Sequence, residues 1–437
     1  MKNVVAAVLV GAFSLSVAQA AWADADQELF DENVQQLDAS LALRRTTTEQ
    51  FDPIRGQSVL SRPRPDFDPV PIPVGSFQLF PALNLGTYYD SNIYSVQKNG
   101  PDDQVWKINP TVSFLSDWGR HAFGITALAD IDYYQHHDEQ NYKAGAIQAE
   151  GRYDIAEQTW VSGVASFQRV TEAKGTTDAP GNAKGVSQYN QYSMGAEAYR
   201  GVGKLKAKGT YDWSYYEYDP VELIGGGRAI QSDRDREQDR VGTEIGYDVS
   251  ENLRPFVRGS YNWRTYTTSG QQSSDGYTVD VGAKMDFGGI TTAEAWIGYI
   301  EQNYFNQASG EVAAPDFGAD ILWNVTELTS IEAKAQRSIE ESTIPGSNAY
   351  LASEGSVIMS HELTRDIVVQ LNVLYDALDF RPLSRHDDLY NVGGGGRYYI
   401  NRHFYSDLTY NFQRRTSDAV GASYDDHTLF LRFGAQY

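Results

Sequence analysis

The sequence predicts an all-β protein, a transmembrane antiparallel β-barrel of about 18 strands (range about 16 to 18) with a short periplasmic N-terminal arm. Three observations predict it: the pattern of the final residues, the composition, and the regular alternation of short and long polar connections. In the closing segment TLFLRFGAQY, Leu429, Leu431, Phe433, Ala435 and Tyr437 share one face of a strand, and Thr428, Arg432 and Gln436 share the other. One face suits lipid and the other suits water. A free aromatic ending a strict two-residue alternation looks like the closing-strand signal that barrel assembly machinery reads in bacterial outer-membrane proteins.

The other end fits the same destination. Lys2 precedes an apolar run from Val4 to Val17, too short to span a bilayer, and Ala18-Gln19-Ala20 follows as a small-x-small cleavage site. Residues 1–20 therefore read as a signal peptide and Ala21 as the mature start. The 437 residues contain no Cys, which excludes a lipoprotein anchor, a disulfide scaffold and a thiolate metal site.

Composition separates the membrane classes. Hydrophobic residues are 41% of the chain and mean hydropathy is negative, so no apolar run reaches the roughly 18 residues of a transmembrane helix. The 29 Tyr, 18 Phe, 8 Trp and 39 Gly suit a barrel with aromatic girdles, whose strands hide half their residues from hydropathy windows. A secreted β-sandwich or solenoid is the competing reading. A net charge of −22 argues against nucleic-acid binding, which requires a basic surface.

Residues 21–75 form a separate arm. Leu29, Phe30, Val34, Leu37 and Leu41 stand at helical spacing among acidic residues, which predicts a short amphipathic helix over 26–44. Pro53, Pro63, Pro65, Pro69, Pro71 and Pro73 then stiffen an extended linker unable to donate to a sheet ladder. Such an arm is expected in the periplasm, in contact with periplasmic partners, or tucked into the barrel mouth.

From Ser76 to Tyr437 the period is two. Leu205, Ala207, Gly209, Tyr211, Trp213 and Tyr215 alternate with Lys204, Lys206, Lys208, Thr210, Asp212 and Ser214; segments 277–287 and 367–376 repeat the pattern. Short connections fall at 116, 155, 201, 250, 288, 326, 363 and 401. Long ones fall near 95–103, 135–141, 171–187, 217–236, 267–275, 302–315, 341–348, 380–387 and 414–425. Eight short turns and nine long loops imply about 18 strands with both ends in the periplasm. Segments 158–170 and 386–399 carry the weakest pattern, and the glycines at 393–396 predict a bulge or a close internal approach. Tyr88–Tyr89, Tyr133–Tyr134, Tyr215–Tyr216 and Tyr398–Tyr399 sit where strands meet loops, as interfacial girdles do. Aromatics are also simply good strand formers.

The opening of the barrel carries a motif. Residues 62–94, RPRPDFDPVPIPVGSFQLFPALNLGTYYDSNIY, resemble the start of the putative β-barrel porin type 2 family in the RPRP arm, the GSF entry, the F-P-A-L segment and the Y-D-S-N-I-Y exit. Val70-Pro71-Ile72-Pro73 departs from the Gly-Ile or Gly-Leu expected there. Members are often associated with exopolysaccharide or capsule systems. The resemblance therefore implies an outer-membrane passage for a polysaccharide, set among lipid and lipopolysaccharide.

An 18-strand barrel leaves an aqueous lumen, where function should lie. Lys204, Lys206, Lys208, Arg254, Arg258 and Lys284 are assigned inward on neighbouring strands in the periplasmic half, a basic patch that would attract an anionic polymer. Glu244, Asp248 and Asp286 lie close by, so a solvated salt-bridge ladder filling the wall is the alternative. Tyr261, Asn262 and Arg264 lie further outward and would mark a constriction only if a loop folds in. Gln336, Gln370, Asn372, Asp376, Asn411 and Gln413 supply sugar-compatible polar groups, as any water-facing wall does.

No catalytic motif, metal set or cofactor site is predicted. His136-His137-Asp138-Glu139, His386-Asp387-Asp388 and Asp425-Asp426-His427 combine His with acids in presumed external loops, but no nucleophile elbow accompanies them. The readings carried forward are polysaccharide export, uptake of small anionic or sugar solutes, and an adhesive or structural surface barrel acting through its long loops.

Overall fold

A computed structural model describes residues 57–437 apart from 173, 177, 269–271 and 306–309. The signal peptide, the helix expected over 26–44 and Pro53 lie outside the described residues. Strands β1 to β8 are Ile72–Val74, Phe77–Asp90, Asp103–Ser116, Ala122–Tyr134, Tyr142–Ala156, Thr159–Glu172, Ser187–Val202 and Leu205–Tyr218. A small hairpin follows, β9 Val221–Glu222 and β10 Arg228–Ala229. Then come β11 Arg236–Tyr247, β12 Leu253–Tyr266, β13 Ser274–Phe287, β14 Thr291–Tyr304, β15 Glu311–Thr326 and β16 Thr329–Glu341. The last are β17 Ala349–Thr364, β18 Ile367–Arg381, β19 His386–Tyr399, β20 Phe404–Ser417 and β21 Tyr424–Gln436.

The strands β2 to β8 supply seven staves and β11 to β21 eleven, each antiparallel to the next. Pairing of β2 with β21, from Ala82 opposite Gln436 to Asp90 opposite Thr428, closes the cylinder. Closure leaves the ring with no end strand, which is the condition for a β-structure in a bilayer, although the β15–β16 seam pairs only along its periplasmic part. The eight short connections lie at one rim and the longer loops at the other, as the spacing predicts.

Alternation fixes which side chain meets which solvent. On β21, Phe433 is 56% exposed on the outside, while its neighbour Arg432 is 6% exposed on the inside and paired with Asp407. Asp407 also accepts from Arg397 at 2.7 Å, so one carboxylate of the inner wall holds two guanidinium groups. Desolvated charges persist in such a wall only when paired and hydrogen-bonded.

Four expectations need correction. Consecutive residues point to opposite faces, so each tyrosine pair is divided: Tyr89 is exposed outside, while Tyr88 is buried inside and donates to Asp132 at 2.8 Å. Tyr261 likewise faces outward, donating to Asp275 at 2.7 Å, and takes no part in the lumen. Residues 393–396 run through β19 without a register shift, so there is no bulge. The glycines instead serve a close approach, because a Cβ on Gly393 would collide with the amides of Asn411 and Asn372. The loop expected over 302–315 is shorter, since β14 reaches Tyr304 and β15 begins at Glu311.

The arm is not a free linker. Ile72–Val74, despite Pro73, turns at Gly75 (φ +64°) and pairs with the start of β2 as a strand outside the closed ring. Upstream, the chain follows the inner edge of the periplasmic rim. The carbonyl of Phe67 accepts from Gln436 at 3.0 Å and its ring lies 5.5 Å from that of Tyr399. Arg64 pairs with Glu362 at 3.3 Å, and the buried Val59 donates its N–H to Ser330 at 2.9 Å.

A lumen constriction at the outer mouth

The loop joining β6 to β7, between Glu172 and Ser187, reaches partners on distant staves. Lys174 folds it on itself, donating to the carbonyls of Ala183 at 2.7 Å and Gly185 at 2.6 Å, with the ammonium 5.3 Å from the Tyr94 ring centre. The carbonyl of Gly175 accepts from Arg415 on β20 at 2.6 Å. Glycine permits this close packing, because a Cβ would lie 2.5 Å from the Tyr424 hydroxyl and 2.9 Å from Ser95 Oγ. Asp178 then accepts the backbone N–H of Thr343 at 2.9 Å and the hydroxyl of Ser342 at 3.4 Å.

These partners lie across the barrel. Between β7 and β16 six staves intervene in one direction, and between β6 and β17 eight intervene in the other. The loop therefore bridges the mouth. It meets there the outer end of the β16–β17 hairpin, which itself leans inward: Glu341 accepts from Arg264 on β12 at 3.0 Å, from Ser274 on β13 at 3.3 Å, and from the Tyr266 hydroxyl. Arg264 thus meets the inward-leaning end of β16 and not a loop.

Around the bridge the lumen is lined by charge and aromatic rings. Arg234 pairs with Glu172 and stacks 4.0 Å over Tyr218; Arg236 stacks 4.2 Å over Tyr216, and Tyr189 lies 4.8 Å from Tyr218. On the other side Tyr94 donates to Glu139 at 2.7 Å, and Gln140 donates to the carbonyl of Lys184 at 2.6 Å. Burial shapes the titration of the loop groups. It pulls the Lys174 ammonium down to about 8, against the attraction of Glu139, and pushes the Asp178 carboxyl up, against the opposing Arg234.

The basic residues of the periplasmic half divide three ways. Lys204 is exposed at the β7–β8 turn, with its ammonium 5.9 Å from the Tyr247 ring centre. Lys206, Arg254, Arg258 and Lys284 project inward and each meets a carboxylate. Lys206 and Arg254 share Asp248 at 3.5 and 2.6 Å, Arg258 contacts Asp280 at 3.1 Å and Glu294 at 3.3 Å, and Lys284 contacts Glu244 at 2.9 Å. Lys208 lies opposite Glu244 in the ladder.

Of the polar residues expected on the lumen wall, Gln336 donates to Glu354 at 2.9 Å and Asn372 to Asn391 at 3.3 Å. The histidine–acid runs are structural links. Asp103 accepts the backbone N–H groups of both His136 and His137 and touches both rings, at 3.0 and 2.9 Å. His386 bridges Asp379 at 2.8 Å and Asp388 at 3.1 Å, and His427 meets the Tyr410 hydroxyl at 2.8 Å. Sequence reasoning missed Lys174, Gly175, Asp178 and Thr343. The length of 171–187, the longest loop but one, was the only signal, since nothing in the pattern says which way a loop folds.

Comparison with known proteins adds a family. No curated protein sequence matches the chain. Similar solved structures include OpdK of Pseudomonas aeruginosa (12% identity, 82% of this chain and 99% of that one, TM-score 0.44). Others are OccAB3 of Acinetobacter baumannii (9%, 83% and 100%, TM-score 0.45) and the ferric enterobactin receptor PfeA of P. aeruginosa (7%, 82% and 80%, TM-score 0.46). The family model described as putative beta-barrel porin 2 matches residues 64–437, from the arm to the last residue. The chain belongs to that family, a porin of the bacterial outer membrane.

Proposed function

We propose that this porin is an uptake channel that selects small anionic or sugar solutes at its outer mouth. The observation that carries this reading is the bridge from Asp178 to Thr343. It stands across the bore and divides it, whereas a polysaccharide leaving the cell needs one continuous passage wide enough for a hydrated chain. Arg234, Arg236 and Arg264 beside the bridge favour solutes carrying negative charge, and their tyrosine neighbours offer flat surfaces to sugar rings.

Liposome swelling with a graded series of sugars and carboxylates tests the proposal. A steep size cut-off, with carboxylates entering ahead of neutral sugars of equal size, is the expected result. Loss of secreted polysaccharide on deleting the protein, together with no swelling for any small solute, would return the assignment to export.

A further inference from the structure

One seam of the barrel is only half closed. Its neighbours pair over most of their length, but β15 and β16 pair only from Ala319 opposite Ala335 down to Thr326 opposite Thr329. Above that point Glu311 to Gly318 pair with β14 alone, and Gln336 to Glu341 pair with β17 alone, among the described residues. Backbone groups left without a ladder partner are costly in a wall, so the split needs a cause.

The cause is visible in which faces touch. By alternation Tyr304, Val312 and Ala314 point inward from β14 and β15, while Ile339 and Leu351 point outward from β16 and β17. Yet these five, with Ala349, form one buried apolar cluster, in which Ile339 is 2% exposed. The outward face of one sheet segment can meet the inward face of the next only if the two overlap. The outer end of β16–β17 therefore lies inside the wall, behind β15. Arg337 marks the departure point, still stacked 4.5 Å over Phe317 and donating to the carbonyl of Pro315 at 3.3 Å. Three holds keep the end inward: the apolar cluster, the bonds of Glu341 to Arg264, Tyr266 and Ser274, and the bond from Thr343 to Asp178.

We propose that the outer end of the β16–β17 hairpin is a gate with two seats, and that its second seat is the unpaired edge of β15. Continuing the existing register past Ala319 and Ala335 assigns each new pair: Gly318 with Gln336, Phe317 with Arg337, Asp316 with Ser338, Pro315 with Ile339, Ala314 with Glu340, and Ala313 with Glu341. Swinging outward exchanges the apolar cluster and the Glu341 bonds for ladder hydrogen bonds, completes the stave, and takes Thr343 away from Asp178. Two packings of one sequence with comparable bonding are what a bistable element requires. The inward seat narrows the mouth and the outward seat opens it. The inference deepens the uptake reading and rests on it for the meaning of the gate, but the swing itself is tested separately.

The absence of native Cys makes cross-linking clean. In the inward seat Ala313 is on the outer surface and Glu341 reaches the lumen side, too poorly aligned for a disulfide; in the outward seat they face each other at ladder distance. The variant Ala313→Cys/Glu341→Cys, folded and oxidised in membranes, is expected to form the disulfide and to show a step up in single-channel conductance that reverses on reduction. Ala314→Cys/Ile339→Cys is expected to lock the inward seat and hold conductance at its lower level. Glu341→Gln, which keeps shape and removes charge, is expected to raise time-averaged conductance without any cross-link. Failure of the first variant to cross-link in a barrel that still shows a heat-modifiable gel shift, or unchanged conductance in Glu341→Gln, would overturn the gate. If the cross-link forms and conductance steps up while liposomes show no size-selective uptake, the gate stands and the uptake reading falls.

Discussion

Asp178, on a loop rooted between β6 and β7, accepts the backbone N–H of Thr343 from the far side of the barrel at 2.9 Å. A bond between residues 165 positions apart, made by loops rather than strands, means that the mouth is shaped by what folds into it. The cylinder supplies the walls and the loops supply the aperture.

Replacing Asp178 with Ala removes the acceptor for both Thr343 and Ser342. Hydrogen bonds to a charged group contribute about 1.5–3 kcal/mol each. The loss falls on the seat of the loop and not on the ladder, so the expected outcome is faster swelling with larger sugars and an unchanged thermal transition of the barrel, read from heat-dependent gel mobility. Slower swelling would contradict the bridge.

The same loop predicts a two-sided pH response. Asp178 has a raised pKa in its buried seat, so seating is penalised above that value and the penalty vanishes as pH falls below the ordinary 3.8: acid favours closure. Lys174 has a lowered value of about 8, so its seating is penalised below about 8 and relieved as pH rises toward the ordinary 10.5: alkali favours closure too. Conductance in planar bilayers should therefore peak between the two limbs. Asp178→Asn should flatten the acid limb alone, and Lys174→Met the alkaline limb alone.

The basic residues of the periplasmic half should respond according to their surroundings. Lys284 contacts Glu244 and Glu294, and Glu244 is almost fully buried. Lys284→Ala removes the closest cation from that buried carboxylate and leaves Lys208 opposite it, and should lower the melting temperature measured by gel mobility. Charge reversal at Lys204, on the exposed turn, should leave the melting temperature unchanged and alter cation-to-anion permeability little. Lys208→Glu, which sets a second acid opposite Glu244, should shift permeability toward cations.

The arm should detach when its anchor is removed. Arg64 donates to the carbonyl of Val59 at 2.7 Å and pairs with Glu362 at 3.3 Å. Arg64→Ala should expose residues 57–68 to protease in permeabilised cells while the barrel stays resistant. Equal protection in both forms would show that Val59 and Phe67 hold the segment without it.

Much of the wall was legible because a barrel strand has one rule. Leu429, Leu431 and Phe433 face lipid and Arg432 faces water for the reason their order suggests, and the short turns at 201, 288 and 363 fall where polar interruptions of the alternation put them. The same rule, applied to single residues, also corrects the girdle: of two adjacent tyrosines one must turn inward. The aperture was not legible. Whether 171–187 arches outward or dives into the bore depends on Arg415 of β20 and Ser342 of the β16–β17 loop lying within reach, and both come more than 150 residues later. The inward lean of β16–β17 was hidden for a similar cause, since Ile339 and Leu351 read as lipid-facing and are covered instead by the inner face of β15.

The seating of the arm imposes an order on biogenesis. Its anchors, Ser330, Glu362, Tyr399 and Gln436, belong to the last third of the polypeptide and lie on β16 to β21, so its seat exists only when those staves have formed. A segment near the front of the chain thus waits for the back to be finished. Once docked, it ties the lead-in of the first stave to the staves laid down last.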